Sequence, residues 1–515
     1  MIDGKLLIEK LLRYAKTFLH LKERDEIYFR NILLRELRLT EPYCGDVDLS
    51  YIDGLDVPDE ITRELEEYAA QNVIAREEEK ELFSGYVMGI LSPLPSATNE
   101  EFYRLKETKG IKAACDYLYA LSVKNDYVKK TAIAKNLKWE YQDGNRTLEI
   151  TVNLSKPEKD NKEIAKLLTQ KVSTNYPKCR LCKENEGFAG NVSYPARENI
   201  RTISLTMGGE KWFVQYSPYA YYNEHLIAIS ENHSPMHIKA DTIDKVLDFV
   251  DFFPNYMIGS NAALPIIGGS ILNHEHFQGG GHLMPMHKAG IKEEYFCKDF
   301  PSVKVGITDW YNSALRLVSE NREQISALAK RIVEKWETFS FSPCGIFAET
   351  DGVAHNSCSP IARKDGDKYI VDFILRNNIT TEEYPDGVFH AHPEYHNIKK
   401  EGIGLIEAMG LFVLPGRLKK QLAMIADILS GKTAYDETAL SDKDNYLYVH
   451  RDMIKELVKE YSCGKLDEKQ AEDAVKNRVN IVCSHILENT AVFKNDKAGK
   501  DGFGQFMSAI GAERK

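Results

Sequence analysis

A short alternating stretch near the middle of the chain carries two imidazoles and an amide that could act on one substrate. His274, His276 and Gln278 are spaced two residues apart, between Leu264 and His282. On a β-strand, residues at this spacing share one face. Imidazole can serve as a nucleophile, a base or a metal ligand, and an amide can donate to a phosphoryl oxygen. The stretch therefore predicts an active or ligand-binding strand, and packed core histidines are the plainer alternative.

A pair of cysteines forms the second chemical motif. Cys179 and Cys182 are separated by two residues, and this spacing suits a redox dithiol, half of a zinc site, or chance. A redox pair is expected between a strand and a helix of a βαβ unit, and the surrounding residues do not have that pattern. Zinc would need two further ligands, for which His233 and His274 are the available candidates. Spacing alone leaves these alternatives open.

Composition excludes several classes of function. The chain has 515 residues with 67 basic and 77 acidic side chains, a net charge of −10, and 43% hydrophobic residues. This balance argues against a nucleic-acid binder that relies on general positive charge. No apolar run is long enough to span a membrane, and the scattered cysteines do not resemble a disulfide framework. We therefore expect a globular protein of the cytoplasm.

Hydrophobic periodicity predicts the elements that hold these motifs. Residues 1–135 have helical spacing, with one helix expected over 102–121, and residues 139–154 have the alternation and Asp-Gly turn of a β-hairpin. Strands are predicted at 203–207, 211–216 and 226–229 on either side of glycine turns. A helix follows from residue 241.

The second half of the chain is predicted to repeat the mixture of strands and helices. Residues 306–337 are predicted as two helices and 345–392 as a strand-rich segment ending in a second His-x-His, at His390 and His392. Residues 402–414 and 417–490 are predicted as helices. We divide the chain into a helical accessory region (1–135), two central halves of mixed strands and helices (136–300 and 301–420) and a C-terminal helical region (421–515).

Several motifs together resemble the class II galactose-1-phosphate (hexose-1-phosphate) uridylyltransferases. The signature is the stretch from Leu264 to Gly280. The resemblance extends to further segments over residues 176–417, namely 176–187, 194–201, 215–225, 376–378, 389–392 and 396–410.

This resemblance implies a fold and a reaction. The fold is of the α+β or α/β class, with a duplicated histidine-triad-like core of mixed sheet, an N-terminal helical layer and C-terminal helices. The reaction converts UDP-glucose and galactose 1-phosphate to glucose 1-phosphate and UDP-galactose, through a uridylyl-histidine intermediate with ping-pong kinetics. His276 is then the nucleophile, Gln278 donates to the phosphoryl oxygens, and Ser270 and Asn261 contact phosphate.

The resemblance also implies metal ligands and cations for the substrate. The zinc ligands would be Cys179, Cys182, His233 and His274, the same four that spacing suggests. A second structural metal site would use His355, His390 and His392, and Arg197, Arg201 and Lys400 would contact the nucleotide or sugar phosphate. No organic cofactor, nucleic acid or membrane is expected, and the family permits a homodimer.

Two other functions remain compatible with the same residues. One is a nucleotidyl hydrolase or phosphorylase of the histidine-triad type, in which water or phosphate takes the second step. The other is a nucleotide-sugar-binding protein that catalyses no reaction.

Overall fold

Helices build both ends of the chain. The computed structural model describes residues 2–155, 176–191, 194–267, 269 and 271–515. Its α-helices are α1 Gly4–Phe18, α2 Glu26–Glu36, α3 Asp59–Asn72, α4 Lys80–Leu91, α5 Pro95–Lys109, α6 Ile111–Lys124, α7 Lys130–Ala134, α8 Ala240–Phe252, α9 Pro285–Lys288, α10 Arg322–Glu337, α11 Leu405–Ala408, α12 Leu418–Ser430, α13 Glu437–Leu440, α14 Arg451–Tyr461, α15 Glu468–Asn489 and α16 Lys497–Ala509. None of these helices is long and apolar enough to cross a membrane.

Strands occupy the middle of the chain. They are β1 Leu137–Asp143, β2 Arg146–Val152, β3 Ile203–Met207, β4 Glu210–Tyr216, β5 Leu226–Ser230, β6 Met257–Gly259, β7 His276–Gly280, β8 Ile291–Cys297, β9 Lys304–Thr308, β10 Ala314–Ser319, β11 Glu349–Thr350, β12 Val353–Ala354, β13 Asn356–Asp365, β14 Lys368–Asn377, β15 Leu411–Leu414 and β16 Ala512–Arg514. The α+β class, the N-terminal helices and the C-terminal helices predicted from the sequence are confirmed.

The first helix shows how local sequence sets an element. The carboxylate of Asp3 accepts hydrogen bonds from the backbone N–H groups of Lys5 and Leu6 and so caps α1. Leu7 and Leu11, one turn apart, are buried with the apolar faces of α2, α3, α4 and α6 in one core. The spacing of these leucines is what predicted the helix.

The chain divides into two compact units. The first comprises Met1–Lys135, Ser155–Ser234 and His274–Gly280. Its strands run in the order β7-β5-β4-β3 and are all antiparallel. Ile229 pairs with His276 and Ile227 with Gln278, which fixes the register of the active stretch. On the opposite face of β7, the ring of Phe277 stacks on Trp212 with 4.9 Å between centroids.

The second unit comprises Asn136–Leu154, Pro235–Asn273 and Gly281–Lys515. Its larger set of strands runs in the order β16-β8-β9-β10-β14-β13-β6. The predicted hairpin is confirmed as β1 and β2, and β15 adds to it in parallel. Helices α8 and α10 pack on each other and on β13. The four-part division of the chain made from the sequence stays a prediction.

Three element predictions were wrong or incomplete. The helix expected over 102–121 is two helices, because Gly110 breaks it with a φ of +89°. Residues 306–337 were expected to form two helices, but strands β9 and β10 occupy 304–308 and 314–319. Val305 and Ile307, like Leu315 and Leu317, are spaced two residues apart, which suits a strand. Residues 402–414 contain one short helix and a strand, α11 and β15.

Gly280 closes the active strand in a conformation that a side chain would disrupt. Its φ is +142°, and a Cβ there would lie 2.3 Å from the backbone oxygen of Glu224. We expect Gly280→Ala to lower the free energy of unfolding by about 2–4 kcal/mol. The matched control is Gly209→Ala, which has a φ of +76° but open space around the added carbon, and should cost about 1 kcal/mol. Urea denaturation compares the two, and equal losses would contradict the steric argument.

Candidate functional site

Two cysteines and two histidines of the first unit form a compact cluster. The four ligand atoms lie within 4.8 Å of one another. The Sγ of Cys179 is 3.2 Å from the Nδ1 of His274, and the Sγ of Cys182 is 3.0 Å from the Nδ1 of His233. The two sulfurs are 3.6 Å apart. Tetrahedral zinc with ordinary bond lengths holds its ligand atoms roughly 3.3–3.8 Å apart. The donor set fits zinc, and small side-chain shifts would bring all four atoms to that spacing.

Hydrogen bonds to neighbouring backbone groups orient the ligand atoms of the cluster. The Nε2 of His274 donates to the backbone oxygen of Ser230 at 2.8 Å, which leaves Nδ1 as the unprotonated ligand nitrogen. The Sγ of Cys179 accepts from the backbone N–H of Leu181. Burial raises the pKa of the Cys182 thiol to about 11, and a bound zinc ion would deprotonate it. The two histidine nitrogens beside the sulfurs favour the metal interpretation of the Cys-x-x-Cys pair over the redox one.

His276 begins β7 and is held by the backbone of His274. Its Nδ1 donates to the backbone oxygen of His274 at 2.8 Å, so the lone pair is on Nε2. Burial lowers the pKa of His276, which favours the neutral ring. A neutral imidazole with a fixed tautomer can attack an electrophile without a separate base. The structure thus supplies the acceptor that sequence reasoning could not identify.

Gln278 lies two residues further along the same face. It is half-buried, and its Oε1 is 3.1 Å from the Nε2 of His225. His225 itself is buried, and its ring packs against those of Tyr221 and Tyr222. Sequence reasoning included His225 in a motif but gave it no role. One sequence feature could have indicated a role for His225: it is the last residue of that motif and comes directly before strand β5.

The predicted phosphate contacts of the signature turn are only partly described. Ser270 and Gly268 lie outside the described residues. Asn261 is buried in the second unit, where its Oδ1 accepts from the backbone N–H of Leu405 at 2.8 Å. A Cβ on Gly269 would lie 3.1 Å from the Nδ2 of Asn261. The side chain of Asn261 therefore packs against Gly269 of the signature turn.

The three predicted substrate cations differ in their surroundings. Arg201 is buried, and its guanidinium donates to the backbone oxygens of Pro93, Glu198, Ile200 and Gly89. These bonds tie the segment to the N-terminal helices and occupy the donors of Arg201, so its guanidinium is not available for a phosphate in this structure. The guanidinium of Arg197 lies 5.5 Å from the ring centroid of Tyr127, and its Nε is buried without a hydrogen-bond partner in the described part of the chain. Lys400 is exposed.

The second metal site predicted from the resemblance does not form. Among the described residues, the Cys179 cluster is the one group of this kind. His355 instead contacts Asn378 through Nδ1, the Nε2 of His390 accepts from the backbone N–H of Ile403, and His392 stacks on Tyr384. Each ring has its own local partner, so the three do not converge on one point.

Comparison with known proteins gives one consistent family. Residues 20–235 match a model described as galactose-1-phosphate uridyl transferase, N-terminal domain, and residues 249–443 match the corresponding C-terminal domain. The galactose-1-phosphate uridylyltransferase of Caldanaerobacter subterraneus subsp. tengcongensis is 42% identical over 521 residues, covering 99% of each chain. That of Fusobacterium nucleatum subsp. nucleatum is 42% identical over 511 residues, covering 98% of each.

A solved structure is also similar, at a much lower level. Yeast Ap4A phosphorylase Apa2 shares 11% identity at a TM-score of 0.30, over 55% of this chain and 78% of that one. A likeness this weak decides nothing about fold or function.

Proposed function

The chain belongs to the galactose-1-phosphate uridylyltransferase family, and on that premise we propose that His276 carries the uridylyl group between two sugar phosphates. The enzyme is a nucleotidyltransferase of galactose metabolism, and it converts UDP-glucose and galactose 1-phosphate to glucose 1-phosphate and UDP-galactose. One observation carries the assignment of His276. Its Nδ1–H is held by the backbone oxygen of His274, which presents Nε2 as the nucleophile.

The reaction then proceeds in two displacements on the phosphorus attached to uridine. The Nε2 lone pair of His276 forms a bond to that phosphorus, and the bond to the bridging oxygen breaks, so glucose 1-phosphate leaves with the electron pair. Galactose 1-phosphate next attacks the same phosphorus through a phosphate oxygen. The P–N bond breaks and its electrons return to Nε2. A covalent holder of this kind keeps the uridylyl group from being lost to water between substrates.

Other groups would stabilise charge on the phosphoryl oxygens. The amide of Gln278 lies on the same face as His276 and is the proposed donor to the transferring group. Ser270 and Asn261 are proposed phosphate contacts from the family resemblance. The buried Nε of Arg197, which has no hydrogen-bond partner among the residues that the structure describes, supports its proposed role toward the substrate. Lys400 is proposed on the resemblance alone.

The proposed metal has a structural part in this scheme. Four protein ligands leave zinc no open coordination position, so its contribution would be to hold the cluster together. Cys179, Cys182, His233 and His274 would be its ligands. The backbone of His274 in turn orients His276, so the cluster and the nucleophile are adjacent in the chain. No organic cofactor enters the proposed reaction.

One incubation separates this function from its alternatives. The protein is mixed with UDP-glucose labelled in the phosphate attached to uridine, with no second sugar phosphate present. We expect an acid-labile labelled protein and one equivalent of glucose 1-phosphate. Accumulation of UMP would indicate a hydrolase, and unchanged UDP-glucose would leave only a binding protein.

Substitution of Gln278 should slow both displacements. If its amide acts as a single donor to the phosphoryl oxygens, Gln278→Ala should lower the rate of each half-reaction roughly 10²-fold. Rapid-quench measurement of adduct formation from UDP-glucose, and of its discharge by galactose 1-phosphate, gives the two rates. A loss confined to one half-reaction would contradict the role, because both displacements pass through similar transition states.

The cellular compartment, oligomeric state and partners of the enzyme are also proposals. None of the nine cysteines forms a disulfide, which supports a reducing compartment such as the cytoplasm. A homodimer stays a prediction from the family resemblance. The acidic net charge supports small-molecule substrates over a nucleic-acid partner.

A further inference from the structure

A buried imidazole stands directly behind the amide of Gln278. The Nε2 of His225 is 3.1 Å from the Oε1 of Gln278. The His225 ring lies 4.5 Å from the centroid of Tyr222 and 5.4 Å from that of Tyr221. The hydroxyl of Tyr222 donates to the backbone oxygen of Gly279 at 2.9 Å. Histidine, tyrosine and strand β7 are therefore fixed to one another at this point.

The surroundings of His225 decide which ring nitrogen carries the proton. Burial lowers the pKa of His225 to about 4, so the ring is neutral near pH 7 and has a single N–H. Its Nδ1 is buried with no hydrogen-bond partner among the described residues. An unpaired buried N–H costs more than an unpaired acceptor nitrogen, so the proton belongs on Nε2. The Nε2–H then donates to Gln278, whose oxygen faces the histidine.

We propose that His225 is a positioning residue that holds the Oε1 of Gln278 inward and thereby turns the amide –NH₂ toward the transferring phosphoryl group. An amide side chain can rotate by 180° and exchange a donor for an acceptor. An acceptor facing a phosphoryl oxygen would repel it, so the orientation matters as much as the presence of the amide. The inference rests on the proposed function, since it concerns how Gln278 serves that reaction.

Two substitutions of His225 test the hydrogen bond separately from packing. His225→Phe keeps an aromatic ring between Tyr221 and Tyr222 but removes the donor. His225→Gln places an amide –NH₂ near the position of Nε2 and restores a donor. We expect His225→Phe to lower kcat about tenfold with KM nearly unchanged, because the contact acts on the transition state. We expect His225→Gln to keep kcat within about threefold of the wild type.

A double-mutant cycle makes the test specific to Gln278. If His225 acts through Gln278, adding His225→Phe to Gln278→Ala should lower kcat no further than Gln278→Ala alone. A purely structural role would give multiplied losses, and that result would overturn the proposal. Equal losses in His225→Gln and His225→Phe would also overturn it.

The wild type is examined first, so that two failures are distinguished. If the wild type forms no labelled adduct with UDP-glucose, the proposed function fails before His225 is considered. If the adduct forms at the same rate in the wild type and in folded His225→Phe, only the positioning role fails. Should His225→Phe not fold, His225→Leu replaces it as the variant without a donor, and the same rates and double-mutant cycle decide the matter.

Discussion

His276→Ala should abolish both the labelled adduct and the exchange of sugar phosphates. The substitution removes the only atom to which the uridylyl group is attached in the proposed reaction, so no alternative covalent path remains. In enzymes that form a covalent intermediate, loss of the catalytic nucleophile lowers kcat on the order of 10⁴- to 10⁶-fold. The measurement is the steady-state exchange rate together with retention of label on the protein after incubation with UDP-glucose.

A matched histidine controls for the loss of an imidazole. His237 is partly exposed, pairs with Asp241 near the start of α8, and has no part in the proposed reaction. His237→Ala should keep the wild-type exchange rate and its adduct. Persistence of a labelled adduct in His276→Ala would show that another residue is the nucleophile, whatever the effect on rate.

Cys182→Ser should remove the metal and weaken the first unit. Cys182 contacts all three other members of the cluster, at 3.0, 3.6 and 3.8 Å, and a hydroxyl is a poor replacement for a thiolate zinc ligand. Structural zinc contributes about 10–16 kcal/mol in zinc-finger peptides, and in a unit that also has its own hydrophobic core we expect its loss to cost about 3 kcal/mol. We expect Tm to fall by roughly 6–12 °C, with metal content falling from one equivalent toward none.

Another cysteine of the chain controls for the thiol itself. Cys463 is exposed and lies outside the cluster, so Cys463→Ser should keep both the metal and Tm. Elemental analysis of both purified variants gives the metal content, and calorimetry gives Tm. Equal metal content in Cys182→Ser and wild type would refute the site. A loss of metal without a change in Tm would refute its structural role.

The chemistry of the site is more predictable from the sequence than some of its elements. His276 and Gln278 share a face of β7 because strand alternation is a local rule, although His274 lies just before that strand. The ligand types of the Cys/His cluster can be recognised wherever they lie in the chain. Two features of the site can be found only from the folded structure. The acceptor for His276 is a carbonyl, which every residue has, and the partner of Gln278 comes from a neighbouring strand.

Errors arose where local pattern and tertiary context diverged. Residues 304–319 are apolar enough for either a helix or a strand. They form strands because β9 pairs with β8 and β10 pairs with β14. Arg201 has the side chain of a phosphate ligand, but its neighbours present backbone oxygens. The family resemblance suggests a metal site of His355, His390 and His392, yet a resemblance cannot show that each ring meets a separate partner.

His274 is shared between two tasks, and this limits how the segment can change. Its ring belongs to the Cys/His cluster, and its backbone oxygen holds the nucleophile two residues later. Inserting or deleting one residue between them would turn every following side chain to the other face of the strand. Both tasks would then fail in a single mutational event. A graft of this strand into another sheet would for the same reason have to bring Cys179 and Cys182 with it.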